Sequence, residues 1–254
     1  MCTLLILRRP DHAWPLVFAA NRDEMIDRPW RAPGRHWPDR PEVVAGLDLL
    51  AGGSWLGIND WGVAAAILNR HGSLGPQPGL RSRGELVLEA LDHADAVEAA
   101  AALADLDPRS YRTFNLIVGD SRDVFWLRHA GGKGIECRPV AEGLSLIAAG
   151  DLDDLSERRL ALAGPRFAAA RPPDPGTRGW KAWEALLASS EKPPGEPENA
   201  ALRFSTPRGY GTVSSALLAI PAPNEAGRRP VFRFAAWQPG PTAWHDVIGP
   251  QPPP

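Results

Sequence analysis

Residues 1–9 read MCTLLILRR, and residues 16–24 read LVFAANRDE. Two short apolar runs, Thr3–Leu7 and Leu16–Ala20, are separated by a segment carrying Pro10, Asp11 and His12. Runs of this length bounded by turn residues read as two strands of one hairpin. The hairpin is expected to end in the tetrapeptide Asn21-Arg22-Asp23-Glu24. Cys2 stands directly ahead of the first strand. Initiator Met is generally removed before a small residue, and Cys is small enough. Cys2 would then carry a thiol and a free α-amine on one residue, a nucleophile beside its base.

Outward from this hairpin, residues 25–42 are rich in Pro and Arg and are expected to form an irregular loop. VVAG, SWLGI and WGVAAAILN follow as short strands, with Gly52-Gly53 and Asn59-Asp60 as turns between them. Ser82 and Glu85 have the spacing of a capping box, opening one long helix to about Leu106 just ahead of Pro108. FNLIVGD, DVFWLRH, GIECRPV and LSLIAAG predict four strands of an antiparallel meander. Helices are expected over 154–170, broken near Pro165, and over 180–188, and GTVSSALLAI with VFRFAAW closes the chain as a hairpin. The order lacks regular β-α-β alternation, so two mainly antiparallel sheets with segregated helices are expected instead of a doubly wound parallel sheet. Residues 1–248 read as one domain, and 249–254 as a disordered Pro-rich tail.

Composition excludes several functions. The formal net charge is −2 and no long basic run occurs, so a nucleic-acid partner is not expected. Two cysteines, Cys2 and Cys137, rule out a disulfide framework and suit a reducing cytoplasm. The six His show no paired spacing, so no metal site is expected. No run reaches the roughly 18 apolar residues of a membrane helix, and no stable membrane insertion is expected. The chain has ten Trp; Trp14, Trp30, Trp37, Trp55 and Trp61 fall early, where they either cap a core or line a groove for a flat or apolar ligand.

Several segments taken together resemble one family: Met1-Cys2, LVFAANRDE at 16–24, GGSWLG at 52–57, GVAAAILNR at 62–70, FNLIVGD at 114–120 and GTVSS at 211–215. This pattern is similar to the NRDE family, also called the transport and Golgi organisation 2 family. That family is similar in turn to the cysteine-type N-terminal nucleophile hydrolases. The resemblance implies an α+β fold, a four-layer α-β-β-α sandwich of two mainly antiparallel sheets.

It also implies site residues. Cys2 matches the nucleophile, and Asp23 the aspartate that holds the nucleophile's amine. Asn69 matches a strand-end asparagine that helps form an oxyanion hole. Asn21 and Arg22 flank the site, although Arg22 should point to the opposite face of its strand from Asn21 and Asp23. The NRDE segment also reads as a charged strand end whose Arg–carboxylate network holds the Trp-rich loop, and Asn69 reads equally as a turn cap. The sequence also departs from the hydrolases. Ala20 stands where an arginine is expected, no asparagine lies near 148–151, and no arginine follows Ser215. Further binding candidates are Arg28, Trp30, Trp55 and His71. The expected activity is hydrolysis of a small-molecule amide, with no cofactor required. The alternative implied by the family is a carrier of haem or of acyl-CoA and other lipids, with Cys2, Met25, His36 and His71 as candidate haem ligands.

Overall fold

The computed structural model describes residues 2–177, 179–223, 228–238 and 240–248. The expected tail at 249–254 lies outside them. In chain order, β1 (Thr3–Arg8) and β2 (Leu16–Met25) form the expected hairpin, but β2 continues through Asn21–Glu24 instead of stopping there. The stretch expected as a loop contains β3 (Trp30–Gly34), paired with β4 (Val43–Asp48). Pro33 is tolerated because β3 lies at a sheet edge and its register shifts between Arg31 and Gly34. β5 (Leu56–Asn59) and β6 (Ala64–Asn69) follow.

The single long helix is in fact two, α1 (Gly84–Leu91) and α2 (Ala96–Ala104). The break has two causes. Asn59 donates from Nδ2 to the Leu91 and His93 carbonyls, at 2.9 and 2.7 Å, taking up backbone oxygens at the end of α1. Asp95 then caps α2 by accepting from the Glu98 amide at 2.8 Å. The predicted capping box is not formed. Ser82 Oγ accepts from the Gly84 amide at 3.2 Å, while the Glu85 carboxylate pairs with Arg81 at 2.6 Å.

β7 (Phe114–Gly119), β8 (Val124–His129) and β9 (Glu136–Pro139) form a meander, but β10 (Gly143–Ile147) leaves it to pair with β1. Helix α3 (Arg158–Ala169) runs through Pro165 unbroken. The proline is on the exposed face, where solvent serves the carbonyl that lacks a donor. α4 (Lys181–Leu187), β11 (Tyr210–Ile220), β12 (Val231–Ala236) and the unforeseen β13 (His245–Ile248) complete the chain.

These elements form two compact units. The first comprises residues 1–28 and 142–254, and the second residues 29–141. The first holds a six-stranded antiparallel sheet ordered β10-β1-β2-β11-β12-β13. Alternate residues of its strands, Leu5, Val17, Ala19 and Leu217, pack against Leu160 and Phe167 of α3 and Trp183 of α4. Phe167 and Trp183 meet edge to face, with centroids 5.1 Å apart. The second unit holds a seven-stranded antiparallel sheet, β3 through β9 in sequence order. Val43, Ala65, Leu116 and Val118 pack there against Leu86, Val87 and Leu91 of α1 and Ala99 of α2. The class is the expected α+β arrangement of two antiparallel sheets. Among the described residues, no helix is long and apolar enough to cross a membrane.

Candidate functional site

β2 pairs with β1 on one side and β11 on the other, so the polar residues at its end lie inside the sheet. Asn21, Arg22 and Asp23 are all buried. A β-bulge sets what they meet. Asp23 opposes Thr212 and Arg22 opposes Ser214, which leaves Val213 as the extra residue of β11. The amide of Trp237 donates to the Val213 carbonyl at 2.8 Å. In a regular strand, Thr212 and Ser215 would face opposite sides of the sheet. With the bulge, Thr212 donates to Asp23 Oδ1 at 2.8 Å while Ser215 donates to Asn21 Oδ1 at 2.5 Å. Just before Thr212, Gly211 lets Phe204 come close; a Cβ there would lie 2.5 Å from the Phe204 carbonyl oxygen.

Asn21 is fully engaged. Its Nδ2 donates to the carbonyls of Leu187 and Leu202, at 3.0 and 2.9 Å. Trp237 Nε1 donates to Ser215 Oγ at 2.7 Å, extending the chain of bonds. Asp23 is held on both oxygens. Oδ2 meets Arg159 Nη1 at 2.5 Å, opposite the Thr212 bond to Oδ1. Arg22 and Arg28 both approach Glu24 Oε2, at 3.8 and 3.7 Å.

Cys2 is half-buried just ahead of β1. The Asp23 amide donates to its Sγ at 3.4 Å, and the thiol lies 3.6 Å from the Asp23 carbonyl oxygen. Tyr210 Oη donates to the same carbonyl at 3.4 Å. Burial pushes the Cys2 thiol up from its ordinary value, and the Asp23 carboxylate adds to the rise; the Asp23 amide and Arg22 act against it. Burial also pushes the Tyr210 hydroxyl up, with Cys2 and Asp23 adding to it. Tyr210 is therefore a protonated donor throughout the neutral range.

Sequence reasoning anticipated Cys2, Asn21, Arg22 and Asp23, and the fold brings these four together. It missed Arg159, Thr212 and Tyr210. One signal for Arg159 was available: on α3 it shares a buried stripe with Leu160, Ala163 and Phe167, where an arginine needs a partner.

The other anticipated residues lie in the second unit. Trp30 and Trp55 pack edge to face at 5.9 Å, and Trp55 fills the space over Gly46, where a Cβ would lie 2.3 Å from its ring. Asn69 ends β6, half-buried, and its side-chain amide makes no hydrogen bond among the described residues. Ser73, not Asn69, serves the turn that follows: its Oγ lies 2.7 and 2.9 Å from the Arg70 and Thr113 carbonyl oxygens, within hydrogen-bond reach of either. His71 is exposed in that turn. Ala148 and Ala149, where a second asparagine was sought, are buried beyond β10.

Three solved structures are similar in fold. The Caenorhabditis elegans N-acylethanolamine-hydrolyzing acid amidase ortholog matches with a TM-score of 0.59 and 13% identity, over 89% of this chain and 95% of that one. A mutant conjugated bile acid hydrolase from Clostridium perfringens matches at 0.53 and 13%, over 97% and 92%. Penicillin V acylase from Agrobacterium tumefaciens matches at 0.53 and 15%, over 97% and 86%. The fold is therefore that of the N-terminal nucleophile hydrolases, as expected. The family model described as Transport and Golgi organisation 2 matches residues 1–154, and the chain belongs to that family. The Transport and Golgi organization protein 2 homolog of Bos taurus is 39% identical over 120 residues, 43% of this chain and 40% of the relative. The Homo sapiens homolog is 37% identical over 116 residues. The match thus spans about two-fifths of the length of these curated relatives.

Proposed function

We propose that this protein is an amide hydrolase of the N-terminal nucleophile type, acting on a small-molecule amide through Cys2. In this reading Met1 is removed and Cys2 begins the working chain. Its α-amine, ordinarily with a pKa of about 7.7–8.0, takes the thiol proton near neutral pH. The thiolate attacks the amide carbonyl carbon and a tetrahedral oxyanion forms. The C–N bond breaks, the leaving amine takes the proton, and water hydrolyses the thioester to free acid and thiol. Asp23 orients the α-amine. The observation that carries the reading is the placement of Cys2, with Sγ against the Asp23 amide at the mouth of a buried polar cluster.

The test is intact mass and a brief pulse of thiol alkylator at neutral pH, followed by a panel of small amides. Loss of one Met, Cys2 alkylated faster than Cys137, and turnover abolished in Cys2→Ala are the expected results. Equal turnover in Cys2→Ala would sink the proposal.

One observation favours a second reading, a non-catalytic carrier of haem or acyl-CoA in the cytoplasm. With its proton affinity raised, the Cys2 thiol is neutral at pH 7, and both oxygens of Asp23 are occupied. Of the candidate haem ligands, His36 has Nε2 engaged 2.8 Å from the Ala32 carbonyl oxygen, whereas Met25 is 40% exposed. A haem titration followed by absorbance separates the readings: no spectral shift at micromolar protein removes the haem carrier.

A further inference from the structure

We infer that Arg159 is the positioning residue of the Cys2 site, fixing the Asp23 amide against the thiol by clamping the Asp23 side chain. This deepens the Cys2 reading above and rests on it.

Arg159 is an arginine on the apolar stripe of α3, a position that is costly for a charge unless its partners compensate. Four partners do so, each from a different segment. Nη1 meets Asp23 Oδ2 on β2 at 2.5 Å and donates to Thr3 Oγ1 on β1 at 3.1 Å. Nε donates to the Asn199 carbonyl at 2.8 Å, and the guanidinium lies over the Phe204 ring, 4.8 Å from its centroid. Two of these partners are adjacent to the thiol. Thr3 is the residue after Cys2, and Asp23 is the residue whose backbone brackets Sγ.

Asp23 works in two directions. Its side chain is clamped between Arg159 and Thr212, while its main chain gives the amide and the carbonyl that meet Cys2. Held on both oxygens, the side chain anchors the Cα from which that amide and carbonyl extend. Charge acts in the same sense. The Asp23 carboxylate raises the thiol's proton affinity, and a cation paired with a carboxylate counters that carboxylate's field. Lysine could supply the charge but not the forked geometry or the ring stacking.

The test is the pH profile of Cys2 alkylation by iodoacetamide in the folded full chain. Cys137→Ser removes the second thiol, which lies exposed on the edge strand β9. The variants are R159K, R159M, D23N and D23N/R159M. Folding of each is checked by circular dichroism. R159M is expected to move the midpoint upward by about one pH unit and slow alkylation about tenfold below it. R159K is expected to recover part of that change. In the D23N background, R159M should shift the midpoint no further, because Arg159 acts through Asp23. A wild-type profile in folded R159M, or an undiminished shift in the D23N background, overturns the inference. If R159M does not fold, R159K and the uncharged D23N/R159M pair carry the test: an R159K profile identical to wild type, or a D23N/R159M profile displaced from D23N, overturns it. Turnover does not enter. A wild-type protein that cleaves no amide refutes the hydrolase and leaves this measurement valid. A Cys2 profile unmoved by Arg159 refutes the clamp while leaving hydrolysis standing.

Discussion

Two strands of this protein carry the same pair of residues after an apolar run: Asn21-Arg22 within β2, and Asn69-Arg70 where β6 ends. Their fates differ. Asn21 is 1% exposed, and its amide bonds to Leu187, Leu202 and Ser215. Asn69 is half-buried, and its amide is unengaged among the described residues. The first amide ties a sheet to the segments packed on it; the second makes no such tie among the described residues. The same dipeptide therefore does not mean the same role. What separates them is whether the strand has a neighbour beyond that point: β2 continues past Asn21 along β11, while β6 stops at Asn69.

Predictions that would break or sharpen this contrast run from large to small. Asp23→Ala leaves Arg159 buried without its carboxylate. A loss of about 3–5 kcal/mol is expected, read from the urea midpoint. Asn69→Ala should do the opposite. Stability is expected to stay within about 0.5 kcal/mol of wild type in the same experiment. A stability loss at Asn69 as large as that at Asp23 would erase the contrast. Asn21→Ala strands the Leu187 and Leu202 carbonyls, and about 2–3 kcal/mol should be lost in the same urea experiment.

The smallest effect concerns His129, buried on β8 beside Phe114. Burial holds its imidazole below the ordinary value and Arg70 adds to this, while a bond to the Tyr111 backbone acts against it. A depressed folded pKa means the native state prefers the neutral ring. This contribution is present above the unfolded value of about 6.5 and is lost as pH falls through the folded value. His129→Gln should flatten the acid-side decline between pH 7 and 5 by about 1 kcal/mol or less, measured by urea unfolding at each pH. An unchanged slope would mean that His129 is not one of the groups that titrate on unfolding.

Much of the fold was legible in residue order. Apolar runs of strand length, separated by Pro, Gly, Asn and Asp, placed β1, β2, β4 to β8, β11 and β12. The errors share a cause. Residues 25–42 look irregular by composition, yet β3 forms there because an edge strand tolerates Pro33. The segment 84–106 has helical periodicity throughout, yet Asn59, some thirty residues earlier, ends α1. β10 reads as the fourth strand of a meander, yet pairs with β1 at the start of the chain. Each was decided by a partner distant in sequence.

The candidate site divides in the same way. The sequence by itself determined the reactive group and its company: a thiol before the first strand, and an Asn-Arg-Asp segment on the strand that pairs with it. Tertiary structure alone decided what that segment does. The bulge at Val213 turned Thr212 towards Asp23, and helix α3 delivered Arg159 from position 159 to a carboxylate at position 23. A strand's alternation is local and can be read along the chain. The partner of a buried charge depends on which distant element packs over it, and no local pattern encodes that.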